Sequence, residues 1–133
     1  MPRRLAPPPY THEPMRTVDW ILRAESLAIF VAGVLAYLQL NGHGLWLLPL
    51  LLVPDVSMLG YLGGPRLGAV TYNLAHNLVT ALVVLAVGWF AAIAPLALAG
   101  AILLAHVGMD RTLGYGLKLP SSFQDTHLGR IGR

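Results

Sequence analysis

Four apolar segments, at about 20–40, 45–62, 67–87 and 91–110, fill the middle of this chain. Each approaches the roughly 20 residues that a helix needs to cross a hydrocarbon core. A spanning segment must satisfy its own backbone polar groups, so apolar runs of this length become helices. The chain has 133 residues, 56% of them hydrophobic and 11% charged, with a mean hydropathy of +0.63. That leaves room for a single bundle and short tails, without a soluble domain. The expected fold is all-α: an integral membrane four-helix transmembrane bundle.

Composition also excludes several chemistries. There is no cysteine, so disulfides, thiolate nucleophiles and Cys-ligated metals are ruled out, and any metal must be held by nitrogen and oxygen. The formal charge is +3, and no block of Lys and Arg forms a nucleic-acid footprint. Residues 1–19 contain Arg3, Arg4, the run Pro7-Pro8-Pro9 and Pro14, a composition that discourages helix and packed core alike. They read as a flexible tail. A polar, proline-rich segment ahead of the first apolar run does not make a secretory signal.

Asn41-Gly42-His43-Gly44 and Gly63-Gly64-Pro65 mark the first two connections, and the third falls near Gly88 to Pro95. Pro49 and Pro54 lie within the second span, which should kink beside Asp55. Small residues at Ala97, Gly100, Ala101 and Ala105 allow close packing of the fourth. Arg3, Arg4, Arg16 and Arg23 precede or begin the first span, Arg66 sits in the second connection, and Arg111, Lys118, Arg130 and Arg133 follow the fourth. The other two connections carry no basic residue except His43. By the positive-inside rule, both termini and the middle loop face the cytoplasm.

This topology places the polar residues of the spans. Glu25 lies about one turn into the first span and Asp55 about two turns before the cytoplasmic loop. His76 follows that loop by about two turns, and His106 with Asp110 occupies the end of the fourth span. All five fall in one layer. Ionisable groups are costly in a bilayer, so their agreement in depth points to a site.

His106 and Asp110 share a helix face at i,i+4 spacing, and Tyr72 and Asn73 flank His76 one turn earlier, where they can orient its ring. An imidazole and carboxylate set without thiolate suits zinc, manganese or non-haem iron. Asp55, His76, His106 and Asp110 are the expected ligands, with His127 added from the tail. Glu25 and Asp55 are the expected acid/base groups, and Lys118 the charge for an anionic substrate. Residues 112–133, which include Gly114-Tyr115-Gly116, should turn back over the cytoplasmic mouth and carry Lys118 and His127 towards the cluster. Tail residues resting on anionic lipid are the alternative.

A blander reading uses the same residues. Glu25 pairs with Arg23, Arg66 or Arg111, Asp55 caps backbone freed by proline, and Asp110 with Arg111 is a helix-end charge pair. Trp20, Trp46 and Trp89 then serve as interfacial anchors. Gly-Tyr-Gly lacks the Thr-Val and pore helix of a potassium filter.

Arg23-Ala24-Glu25-Ser26, Pro54-Asp55-Val56-Ser57-Met58-Leu59-Gly60-Tyr61, Tyr72-Asn73-Leu74-Ala75-His76, Ala105-His106-Val107-Gly108-Met109-Asp110-Arg111, Gly114-Tyr115-Gly116-Leu117-Lys118 and Asp125-Thr126-His127-Leu128-Gly129 together resemble the domain-of-unknown-function 4260 family of small bacterial membrane proteins. The similarity runs from Trp20 to Ile131. It implies a multi-pass membrane protein and assigns no activity. A looser likeness, in His and Asp usage on short membrane helices, is to inner-membrane metal-dependent hydrolases. The expected function is a metal-dependent hydrolase acting on a lipid-like or phosphoester substrate. The alternatives are a structural or interaction protein built on a buried polar network, and a proton or cation transporter. Membrane lipid is the expected partner, a second copy of the chain in a homo-oligomer is a further candidate, and nucleic acid is not expected.

Overall fold

The computed structural model describes residues 17–132. Most of the tail expected over 1–19 lies outside them, while Thr17, Val18 and Asp19 already belong to the first helix. Five α-helices follow in order: α1 Thr17–Gln39, α2 Gly44–Leu51, α3 Pro65–Ala75, α4 Leu78–Phe90 and α5 Ala94–Leu113. A 3₁₀ helix, Val53–Gly63, joins α2 to α3. After α5, two short antiparallel strands, β1 Asp125–Thr126 and β2 Gly129–Arg130, close a small hairpin.

Three helical stretches, Thr17–Gln39, Gly44–Gly63 and Ala94–Leu113, are long and apolar enough to cross a membrane. The α3–α4 pair qualifies as a fourth if its 45° bend counts as one broken span. The all-α expectation holds. The third apolar segment, expected as an uninterrupted span over 67–87, is instead divided at His76 and Asn77. Within the second, the proline kink becomes a change of helix type. Leu52 hinges α2 to the 3₁₀ helix, with Pro54 near that helix's start. A 3₁₀ helix rises about 2.0 Å per residue against 1.5 Å for an α-helix, so the tighter winding also lengthens the span.

The core consists mostly of one helix. α5 packs against both α1 and α4, and half of the residues it buries are small: Ala97, Gly100, Ala101, Ala105 and Gly108. Contact is backbone to backbone. A Cβ on Gly33 of α1 would collide with the backbone of Ala105, and one on Gly100 would collide with the backbone of Leu85. Large apolar side chains point outward instead, among them Leu22, Leu35, Leu48, Leu62, Val79 and Phe90. In lipid this inversion is natural, because apolar surface gains nothing by hiding from hydrocarbon and helices associate through close packing. The exposed Trp20, Trp46 and Trp89 fit the same environment.

α3 lies along the 3₁₀ helix. The Thr71 hydroxyl donates to Ser57 O at 2.8 Å, and Gly68 receives the ring of Tyr61, which would clash with any Cβ there. α5 ends at Gly114, whose φ of 92° is the left-handed conformation glycine adopts without strain. The chain then turns back against α3.

The α1–α5 contact gives a direct test. Gly33→Ala should cost about 1–3 kcal/mol through overpacking against Ala105. Gly44→Ala, where an added Cβ meets nothing within 4 Å, should be close to neutral. Thermal unfolding of both variants in one detergent reads the difference, and equal midpoints would contradict the packing described.

Candidate functional site

The two histidines are oriented by backbone carbonyls. Leu51 O would be bonded by the residue three positions on in a 3₁₀ turn, but that residue is Pro54, which has no N–H. The next amide, Asp55 N, donates to Leu52 O at 3.2 Å. His106 Nδ1 takes the vacant carbonyl at 2.6 Å. His76 closes α3, and its Nδ1 lies 2.8 Å from Tyr72 O, the same oxygen that accepts its backbone N–H at 2.9 Å.

A carbonyl oxygen only accepts, so each Nδ1 carries the proton and each neutral ring presents a bare Nε2 lone pair. Both lone pairs point to one place. The two Nε2 atoms are 3.0 Å apart. Asp55 Oδ1 stands 3.2 Å from His76 Nε2 and 3.4 Å from His106 Nε2. Asp110 Oδ2 is 3.6 Å from His106 Nε2 and 3.9 Å from His76 Nε2, and it accepts the Tyr72 hydroxyl at 3.0 Å. Tyr72 also stacks on the His76 ring, with centroids 3.6 Å apart.

Donor atoms from Asp55, His76 and His106 all lie within 4.8 Å of one another. A tetrahedral cation with bonds of roughly 2.0–2.2 Å sets its ligand atoms about 3.3–3.6 Å apart. The separations, 3.0 to 3.9 Å, bracket that size. Imidazoles whose second nitrogen is held by a carbonyl are the usual form of metal-ligating histidine. Both rings are almost fully enclosed, whereas the Asp55 side chain is 36% exposed and forms the open edge. It borders a groove of about 530 Å³ along the 3₁₀ helix, walled by Leu52, Val56, Leu59 and Leu62.

The break beneath His76 is bridged by side chains. Asn77 caps α4 by accepting Thr80 N–H at 2.8 Å, and its amide donates to Asn73 O and Leu74 O at 2.8 and 3.1 Å. Arg111 reaches His76 O at 3.2 Å and Tyr115 O at 2.7 Å. These bonds replace the helical ones lost at the break.

The tail is clamped by Asn73, whose amide donates to Lys118 O at 2.9 Å and whose carbonyl accepts Lys118 N–H at 2.7 Å. Lys118 is 4% exposed, and its Nζ lies 3.9 Å from the Phe123 ring centroid and 5.1 Å from that of Tyr72. Burial pushes its pKa below the ordinary lysine value, while Asp110 and Asp55 pull it back up. Asp125 organises the hairpin through Arg130 at 3.0 Å and Ser121 at 2.8 Å.

Of the seven residues expected at the site, the structure brings Asp55, His76, His106 and Asp110 together, with Lys118 against Tyr72. Glu25 and His127 are elsewhere. Both line a separate cavity between α1 and the tail, and His127 Nδ1 accepts Leu117 N–H at 2.8 Å. Two parts of the site were not foreseen. Leu51 contributes only a carbonyl, for which Pro54 three residues on is the sequence signal. Phe123, the ring nearest the Lys118 ammonium, has no such signal.

A multi-pass-type helical chain with a buried imidazole and carboxylate cluster is the class this geometry defines. The family described as "Domain of unknown function (DUF4260)" matches residues 19–131, and the chain belongs to it. No curated protein and no solved structure matches.

Replacing Asn73 by alanine should release the tail, with two lost hydrogen bonds costing about 1–3 kcal/mol. Hydrogen exchange at the Lys118 amide should accelerate at least tenfold while exchange in α5 stays slow. Unchanged protection at Lys118 would show that the clamp does not hold the tail.

Proposed function

We propose that this is a metal-dependent hydrolase of the bacterial inner membrane, a four-span bundle with both termini cytoplasmic, acting on a lipid-like phosphoester at the cytoplasmic leaflet. The observation that carries the reading is the pair of facing Nε2 atoms, 3.0 Å apart, each made a bare acceptor by its own carbonyl partner. Two neutral acceptors at that distance repel, and a cation between them removes the repulsion. His76, His106, Asp55 and Asp110 are its ligands, and zinc, manganese and iron all suit the set. When bound, such an ion lowers the pKa of water and polarises a phosphoryl oxygen.

The chain supplies the rest. Tyr72 holds Asp110 Oδ2 in place by donating its hydroxyl. Asp55 directs Oδ1 to the histidines, and its Oδ2, without a hydrogen bond among the described residues, accepts the proton of an attacking water. That role, expected of Glu25, passes to Asp55 because Glu25 lines the other cavity. The apolar walls of the groove beside Asp55 accept a hydrocarbon chain, which favours a lipid-like substrate entering sideways from the bilayer. Lys118 supplies a fixed positive charge next to Tyr72.

A proton is the competing occupant. The same 3.0 Å separation fits an imidazolium donating Nε2–H to its neighbour, which would make the cluster a structural network or a proton carrier. For transport, the opposite half of the spans supplies no ionisable relay beyond His43, which caps α2. Elemental analysis of protein purified with metal present and then exchanged into metal-free detergent buffer separates the two. Near-stoichiometric transition metal in the wild type, falling at least tenfold in His106→Ala, is expected, together with loss of phosphoesterase activity in Asp55→Asn. Metal-free wild type that is nonetheless destabilised by His106→Ala would favour the proton network.

A further inference from the structure

A cavity of about 500 Å³ opens between α1 and the returning tail, lined by Arg23, Glu25, Ser26, Arg111, His127 and Leu128 among others. A smaller one of about 280 Å³ shares Ile29, Arg111 and His127 with it and reaches Leu78, Val107 and Gly108. The larger has a charged lining and the smaller a mainly apolar one. Together they have the form of a slot for an amphiphile.

Its two guanidiniums are the informative groups. Among the described residues, neither Arg23 nor Arg111 forms an ion pair. Arg23 makes one long bond, Nη1 to Thr112 O at 3.4 Å, and Arg111 spends one donor on Tyr115 O and one on His76 O. A guanidinium carries more donors than these bonds use. Two half-buried guanidiniums facing one cavity are suited to the bidentate recognition of phosphate oxygens. Arg23 lies in the second turn of α1, one turn beyond the exposed Trp20, at the depth of lipid headgroups. Basic pockets between membrane helices at this level hold phospholipid headgroups. The apolar continuation past Ile29 and Leu78 favours a lipid over free phosphate.

We propose that the slot between α1 and the C-terminal tail binds the phosphate-bearing headgroup of a membrane phospholipid through Arg23 and Arg111. Asp19 and Glu25 line the same cavity as the guanidiniums and weaken their field. The proposal does not rest on the metal reading, and its test uses no added metal.

Protein in a non-ionic detergent is titrated with dihexanoyl phosphatidylglycerol, with dihexanoylglycerol, which lacks phosphate, and with inorganic phosphate, following the thermal midpoint. The phospholipid should raise the midpoint saturably, dihexanoylglycerol should leave it unchanged, and inorganic phosphate should bind at least tenfold more weakly. Arg23→Gln should weaken phospholipid binding at least tenfold. Glu25→Gln should tighten it severalfold, a gain that misfolding does not produce. Equal affinity for inorganic phosphate would overturn the lipid assignment in favour of a free anion. Absence of saturable binding, or phospholipid affinity unchanged in both variants, would overturn the site.

Discussion

In an apolar surrounding a backbone carbonyl must find a donor within the protein, and two such carbonyls, Leu51 O and Tyr72 O, organise the polar end of this molecule. Pro54 leaves the first without an amide, and the second, which already accepts the His76 backbone N–H, takes a second donor where α3 stops. An imidazole Nδ1–H lies against each, at 2.6 and 2.8 Å. Once these bonds form, the opposite nitrogens have no freedom in direction. The meeting of His76 and His106 therefore follows from backbone bonding.

The helix breaks and the cluster are consequently one feature. An unbroken third span would carry the His76 backbone in helical geometry, whereas His76 here caps α3 with φ −109° and ψ 25°. The bend exposes Asn73 O, Leu74 O and His76 O, and Asn77 and Arg111 bond all three. The second span, too, changes its winding just before Asp55. Irregular backbone at membrane depth is tolerated where protein satisfies it, and here the groups that do so also build or adjoin the site.

Arg111 links the two polar regions. Its guanidinium bonds the carbonyl of His76 while lining the slot with Arg23 and Glu25. The Asn73 amide holds the tail, which forms one wall of that slot and places the Lys118 ammonium against Tyr72. A lipid in the slot and a substrate in the Asp55 groove would thus contact residues joined through His76 by two polar links, Arg111 to His76 O and His76 Nε2 to Asp55 Oδ1. The large apolar residues outside this end face lipid, and the small ones inside let α5 touch both neighbours.

Depth along the membrane was legible in the sequence, because rise per residue converts position into height once the spans are placed. Asp55, His76, His106 and Asp110 could be assigned to one layer on that basis, and the i,i+4 spacing put the last two on one face. The apolar composition likewise determined a helical, membrane-type chain, and Pro54 signalled an irregular second span. Rotation about each helix axis was not legible. Glu25 has the right height and the wrong azimuth, since α1 is oriented by the seating of Gly33 on Ala105, a contact between residues 72 positions apart. His127 reaches the bundle and is held off the cluster by Leu117 N–H, a bond within the tail's own fold. The break at His76 has no local sequence signal, because Leu74-Ala75-His76-Asn77-Leu78 contains neither glycine nor proline, and the cost of breaking a helix there is met by Asn77, Arg111 and Tyr72 acting together. Height is a local property of a chain in a bilayer, while azimuth and the satisfaction of broken backbone are decided by the partners that tertiary packing brings.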